Sequence, residues 1–306
     1  VAAALNRRTF LAGTFASALA AAVPDIPIID SHIHLFDVSR PQGVPWPAKD
    51  SPIYKSALPA GLSEVAGPHG VVGAIEIECS PWLADNQWVL DVAAKAPIIV
   101  GTIGDLEPGT PEFRKNLTRL HQNRLFRGIR YGNLWNRDLT AQLAHPAFLA
   151  DLKWMARLGL VLDTANPDPA LMRAVMRLSD AVPDLKIVLD HLPELTPTPQ
   201  AVADLRVLGQ RPQIFAKVSG IVRNVNGRVP LDIAFYRDRL DLIQSTFGFD
   251  RLLYGSDWPN CDLWASYEQV FHLAEQFVQS QSRANREKFF WRNSLQAYAW
   301  IKRDEL

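Results

Sequence analysis

Two cysteines, Cys79 and Cys261, are all that a chain of 306 residues holds. That is too few for a disulfide scaffold, and without CxxC spacing they exclude a zinc ribbon. Neither sign of charge dominates, since 32 Lys and Arg balance 32 Asp and Glu. A nucleic-acid binder carries a basic excess to neutralise phosphates, so that class is set aside. There is no glycine-rich phosphate fingerprint of the GxGxxG or P-loop kind, which argues against a nucleotide-binding open sheet. Repeats and low-complexity tracts are also missing. The mildly apolar run Ala12–Val23 is too short to make a good bilayer span. What is present is an ordinary globular balance, 48% apolar and 21% charged, which rules out a disordered chain. The length suits one large α/β barrel or two smaller domains.

The N-terminus carries Asn6-Arg7-Arg8-Thr9-Phe10-Leu11 before an Ala-rich segment. Paired arginines, then Phe-Leu, then small residues resemble a bacterial twin-arginine export signal. The expectation is a signal over residues 1–24 and a single folded unit over 25–306. The protein is then periplasmic or otherwise exported, with no membrane span once the signal is removed. An amphipathic N-terminal helix is the alternative. Arg303-Asp304-Glu305-Leu306 looks like a retention tail and is read as a coincidental chain end.

Past that segment, short β-branched apolar runs alternate with amphipathic stretches. Strands are expected at Ile26–Asp30, Val71–Glu78, Ile98–Ile103, Arg127–Tyr131, Leu160–Thr164, Lys186–Asp190, Ile214–Ser219 and Arg251–Ser256. Helical periodicity fills the intervals, as in Trp82–Lys95 and Pro169–Val182. Strand–helix alternation implies a parallel sheet, and eight units fit an α/β fold of the (β/α)8 TIM-barrel type in a single domain. A doubly wound open sheet is the alternative. Val38–Gly61, with five prolines, is a long connection after strand one, either a lid or a packed surface loop.

Chemistry-bearing residues gather at the strand ends, where such barrels keep their active sites. Alternation places Asp30, His32 and His34 on one face of strand one. Two imidazoles so spaced can chelate a divalent ion. His191 follows strand six and Asp257 follows strand eight, giving a candidate ligand set of His32, His34, His191 and Asp257. On strand two, Ile75 and Ile77 are expected to meet the helices, so Glu76 and Glu78 should face the barrel interior. Strand four offers Arg130 and strand seven Lys217. Unpaired buried charge costs several kcal/mol, so these groups must pair with each other or with substrate. Glu78, Arg130 and Lys217 are taken as substrate-binding candidates. Trp82, Trp135, Trp258 and Trp264 sit near the mouth, with Trp258 the best placed to stack on a ring.

The phrases Ile-Ile-Asp-Ser-His-Ile-His-Leu-Phe-Asp, Arg127-Gly-Ile-Arg130, Leu189-Asp-His-Leu, Lys217-Val-Ser-Gly220 and Tyr254-Gly-Ser-Asp-Trp-Pro259 occur in this order. Together they resemble the amidohydrolase superfamily, and within it the amidohydrolase-related metal-dependent hydrolases that include sugar lactonases and 2-pyrone-4,6-dicarboxylate lactonase. The resemblance covers roughly residues 26–302. It implies that His32, His34, His191 and Asp257 line the centre, with Asp257 as general base and Arg130 on the substrate. Binuclear members bridge two metals with a carboxylated lysine on strand four, where this chain has Arg130. They also carry a histidine on strand five, where this chain offers Asp163. At most one divalent ion is therefore expected, zinc first, with a metal-free centre as the alternative.

The expected reaction is hydrolysis of a sugar-derived or carboxylated lactone. Asp257 takes a proton from water, while His191 and its neighbours, or one metal, polarise the carbonyl. The expected partner is a small molecule, with no nucleic acid. Amide or ester hydrolysis, decarboxylation at a single zinc, and a non-catalytic binding protein are the alternatives.

Overall fold

Apolar runs buried on both faces, separated by helices with one apolar face, leave the chain one economical arrangement: a closed parallel sheet inside a ring of helices. The computed structural model describes residues 26–165 and 167–303. The export signal expected over 1–24 lies outside the described residues. Eight strands run in chain order: β1 Ile28–Ile33, β2 Val71–Ile77, β3 Ile99–Gly104, β4 Phe126–Arg130, β5 Val161–Asp163, β6 Ile187–Leu189, β7 Ile214–Val218 and β8 Leu252–Tyr254. Each pairs in parallel with the next. The ring closes just past β8, where Ile33 bridges Trp258 in parallel register. There His34 N donates to Trp258 O at 2.8 Å and Asp257 N donates to His32 O at 2.9 Å. This is the expected (β/α)8 barrel.

The helices are α1 Pro59–Ala66, α2 Leu83–Ala94, α3 Phe113–His121, α4 Leu139–Gln142, α5 Pro146–Arg157, α6 Pro169–Ala181, α7 Pro199–Gly209, α8 Arg237–Phe247, α9 Tyr267–Val278, α10 Arg283–Glu287 and α11 Asn293–Tyr298. Proline opens α1, α5, α6 and α7, at a position whose N–H has no intrahelical partner anyway. Side-chain caps fix other starts. Asp168 accepts from Ala170 N and Leu171 N, and Ser266 with Gln269 forms a capping box on α9. Among the described residues no helix is long and apolar enough to cross a membrane.

Two apolar layers hold the barrel. Outward-facing strand residues pack on the helices. Inside, Ile75, Ile77, Val161, Val188, Phe215 and Leu253 form a separate cluster, closed from below by Tyr298 and Trp300. That plug is tied in by Ile301 N donating to Val100 O at 3.2 Å and Arg127 Nε donating to Tyr298 O at 2.8 Å.

Two face assignments differ from expectation. Ile75 and Ile77 line the interior, so Glu76 points outward, buried beside Asn86 and Val89 of α2. Strands in a closed barrel are buried on both faces, so alternation alone does not say which face is inside. Asp30 also leaves the face of His32, because the β1–β2 register shifts between Asp30 and Ile33. Its Oδ1 accepts from Ser256 N at 2.9 Å and His32 N at 3.2 Å, and its Oδ2 accepts from Tyr267 Oη of α9 at 3.0 Å. Asp30 thus laces β1 to the end of β8 rather than joining the centre.

Burial pushes the Asp30 carboxyl up to about 6, against the pull of its hydrogen bonds from Ser256, His32 and Tyr267. The unfolded chain ionises near 3.8, so between these values the folded state holds the extra proton. Stability therefore falls as pH rises through that window, by about 3 kcal/mol. Asp30→Asn keeps an acceptor for Ser256 N and lacks the titration. Urea unfolding between pH 4 and pH 7 should show the wild type losing ground to the variant as pH rises. Parallel stability curves would contradict the assignment.

Candidate catalytic centre

The end of β1 carries His32 and His34 into the space above the apolar plug. β8 approaches closely beneath, because residue 255 is glycine; a Cβ there would stand 2.8 Å from the Cβ of His32. His191 follows β6 and Asp257 follows β8, and each takes a left-handed backbone, with φ of 66° and 65°. Such a conformation costs a non-glycine residue about 1–2 kcal/mol. Two outliers at matching strand ends aim both side chains at one spot, as functional sites tend to do.

Asp257 Oδ1 lies 3.3 Å from His34 Nε2 and 3.6 Å from His32 Nε2, while its Oδ2 accepts from Asn260 Nδ2 at 2.7 Å. His34 Nδ1 lies 2.8 Å from Ile77 O, which fixes that nitrogen as the donor. His191 Nδ1 lies 2.9 Å from Ser219 Oγ. Burial pushes His32 well below its ordinary value and lowers His191 to about 4, so both are neutral at neutral pH. Burial would raise the Asp257 carboxyl, yet His191, His34 and His32 around it hold it far below the usual range. The centre is thus a carboxylate beside neutral His32 and His191. His32 Nε2 and Asp257 Oδ1 have no hydrogen-bond partner among the described residues.

Below the histidines runs a fully buried chain of charge. Lys217 Nζ lies 2.6 Å from Asp163 Oδ2 and 2.9 Å from Asp190 Oδ1. Asp190 Oδ2 faces Arg130 Nε at 3.0 Å, and Arg130 Nε also donates to Thr164 O at 3.0 Å. Burial would raise the Asp190 carboxyl, yet Lys217, His32 and Arg130 around it hold it well below its ordinary value.

Three expected substrate contacts fall elsewhere. Lys217 is sealed under the centre, with no exposed surface. The Glu78 carboxylate accepts from Ser80 N at 3.0 Å and Trp135 Nε1 at 3.1 Å, and only its backbone oxygen meets Arg130. Trp258 sits at the barrel closure with its ring against Gly61 of α1, away from the mouth. Arg130 is the one of the group that lines the cavity.

That cavity, about 360 Å³, is walled by Trp46, Leu134, Trp135 and Asn260 around His34, His191 and Asp257. Its size is at the low end for small-molecule sites. Trp46 comes from the Val38–Gly61 connection and packs edge-on against His34, with ring centroids 5.5 Å apart. Sequence reasoning singled out the connection but not this residue; an aromatic within a proline-stiffened loop beside the HxH strand was the available signal. A second recess of about 400 Å³ shares His191, Asp257 and Asn260 and adds Glu194, Arg223, Asn224 and Trp264. Cys79 and Cys261 are free and buried.

A family model described as Amidohydrolase matches residues 29–300. The chain belongs to the amidohydrolase family. An L-fucono-1,5-lactonase of Burkholderia multivorans is 26% identical over 278 residues, 86% of this chain and 92% of that protein. An L-fucono-1,5-lactonase of Burkholderia ambifaria is 27% identical over 244 residues, 76% of this chain and 80% of its own length. A crystal structure of an amidohydrolase from Burkholderia multivorans with bound HEPES superposes with a TM-score of 0.80 at 24% identity, covering 90% of this chain and 99% of that one. A second crystal form with bound zinc gives a TM-score of 0.78 at 24% identity, with the same coverage of 90% and 99%.

Amidohydrolases are typically metal-dependent, and this donor set fits an ion. One ligand atom each from His32, His191 and Asp257 lies within 4.8 Å of the others, all buried. Two neutral imidazoles and a carboxylate suit a zinc-type ion. His34 falls outside this tight set.

Arg130→Met would leave Lys217 as the one cation beside Asp190 among the described residues. Breaking a buried pair from one side costs about 3–5 kcal/mol. The urea midpoint should fall accordingly, and an unchanged midpoint would show that the pair carries no such weight.

Proposed function

We propose that this amidohydrolase is a lactonase that opens a sugar-derived or carboxylated lactone with water. The observation that carries the reading is Asp257, a buried carboxylate held ionised at the mouth, beside neutral His32 and His191 and the cavity-lining Arg130. The two L-fucono-1,5-lactonase relatives, aligned over most of this chain, support a sugar lactone.

In this reading the lactone carbonyl lies in the cavity against Asp257 and His191, both of which line it. Asp257 accepts a proton from the attacking water, whose oxygen bonds to the carbonyl carbon. The His191 imidazole, which lines the cavity, faces the oxygen on which negative charge develops, and such an interaction is worth most in a site closed to bulk water. The ring C–O bond then breaks, and the proton held on Asp257 passes to the leaving alkoxide, giving a hydroxy acid. Arg130, already anchored by Asp190, offers its remaining guanidinium N–H groups to substrate oxygen. Trp46 and Trp135 present faces for the ring and narrow the access of water. A single divalent ion, zinc in our reading, would be held by His32, His191 and Asp257 and would supply Lewis acidity at the carbonyl. We also propose export by the twin-arginine route, supported by Arg7-Arg8-Thr9-Phe10-Leu11 and the Ala-rich stretch after it.

A pH-indicator screen of aldono-1,4-lactones, aldono-1,5-lactones and carboxylated lactones tests the reaction. Acid release is expected from the wild type. Asp257→Asn should lower kcat by about 10²–10⁴-fold, the range for a lost general base, with an unchanged circular dichroism spectrum. Carbon dioxide release from aromatic acids, with no lactone opened, would make the protein a decarboxylase. Silence on lactones with turnover of esters or amides would move it to that class.

A further inference from the structure

Lys217 lies under the centre with no exposed surface, yet its contacts bear on the reaction. Its ammonium has three protons and no lone pair. Three acceptor atoms surround it: Asp163 Oδ2 at 2.6 Å, Asp190 Oδ1 at 2.9 Å and His32 Nδ1 at 3.2 Å. We propose that Lys217 is a positioning residue that holds His32 with Nδ1 as acceptor and its one proton on Nε2, on the side of Asp257.

When Lys217 donates to Nδ1, that nitrogen must carry its lone pair. A neutral imidazole then has its only proton on Nε2. Among the described residues His32 Nε2 has no hydrogen-bond partner; it faces Asp257 Oδ1 at 3.6 Å, so the N–H is directed at the carboxylate that lines the cavity. The alternative tautomer would point an Nδ1–H at Asp190 Oδ1 across 3.4 Å and set two protons, from Lys217 and from His32, against each other.

The device extends to the far end of the barrel. Asp163 Oδ2, the closest partner of Lys217, also accepts from Tyr298 Oη at 2.9 Å. Tyr298 ends α11 and belongs to the plug below the strands. The path from plug to reacting atoms is therefore Tyr298, Asp163, Lys217, His32. Arg130 closes the other side through Asp190, so the buried sum of Asp163, Asp190, Lys217 and Arg130 is neutral.

The consequence reaches the metal question. A His32 that donates through Nε2 does not ligate through it. Ligation requires the proton to move to Nδ1 and Lys217 to give up that contact. Lys217 thus sets His32 for hydrogen-bond donation and weakens zinc at the same atoms. The link from this tautomer to turnover rests on the lactone reading; the tautomer itself does not.

The test uses the full chain, dialysed against a chelator and carrying nitrogen-15 histidine. Long-range proton–nitrogen correlation reads the tautomer of each ring, with His32→Gln assigning the signal. An Nε2–H form of His32 is expected in the wild type. Tyr298→Phe keeps the packing and loosens Asp163, so kcat should drop by about tenfold with KM unchanged and the melting temperature nearly unmoved. Lys217→Met should populate the Nδ1–H form and bind zinc more tightly by calorimetry, on the order of tenfold, the scale that outer partners of a ligand exert. An Nδ1–H form in the wild type overturns the proposal. So does a folded Lys217→Met with the wild-type tautomer and zinc affinity. If Lys217→Met does not fold, the wild-type spectrum and the kcat of Tyr298→Phe decide. A His32 in the Nε2–H form, with no lactone opened, would sink the functional reading and leave this one standing.

Discussion

The structure turns on one buried pairing problem. Four charged groups on adjacent strands, Arg130, Asp163, Asp190 and Lys217, are taken almost wholly out of water. Each alone would cost several kcal/mol, and together they satisfy one another only in one geometry. Lys217 must reach both acids, and Arg130 must reach Asp190 from the other side. That requirement fixes the register of β4 to β7 near the mouth as firmly as the apolar cluster fixes it lower down. It also gives the histidines a rigid charged floor.

The remaining features build on that floor. Barrel closure through Ile33 and Trp258 brings the HxH segment beside Asp257, and the same backbone hydrogen bonds that seal the sheet hold the two halves of the centre together. The left-handed turns at His191 and Asp257 are paid for by this surrounding packing. They direct a carboxylate and an imidazole at one point, which strand ends in ordinary conformation would not do. Trp46, brought in by the connection after β1, completes the wall and separates the polar cluster from bulk solvent.

Most of the barrel was legible in the sequence because each strand is a short β-branched run flanked by amphipathic helices. The centre was legible because His32, His34, His191 and Asp257 all fall at strand ends, and barrels bring those ends together. Orientation was harder. Glu76 turns outward and Asp30 laces the closure, because strands buried on both faces erase the alternation signal and a register shift breaks it. Lys217 and Glu78 carry the right chemistry for substrate, but their partners, Asp163 and Trp135, lie far away in sequence. Trp258 follows Asp257 directly, but the left-handed turn at Asp257 and the closing bridge to Ile33 carry the ring into the core against Gly61. Trp46 depended on the path of a long connection, which local pattern does not encode.

The central claim is that water, deprotonated by Asp257, attacks the carbonyl carbon of a lactone. Turnover of a sugar lactone in heavy-oxygen water, followed by mass spectrometry of the product, tests it most directly. One heavy oxygen per molecule is expected, located in the new carboxylate. Label on the released hydroxyl would mean that the other C–O bond is cut, and the role given to Asp257 and the imidazoles would fail.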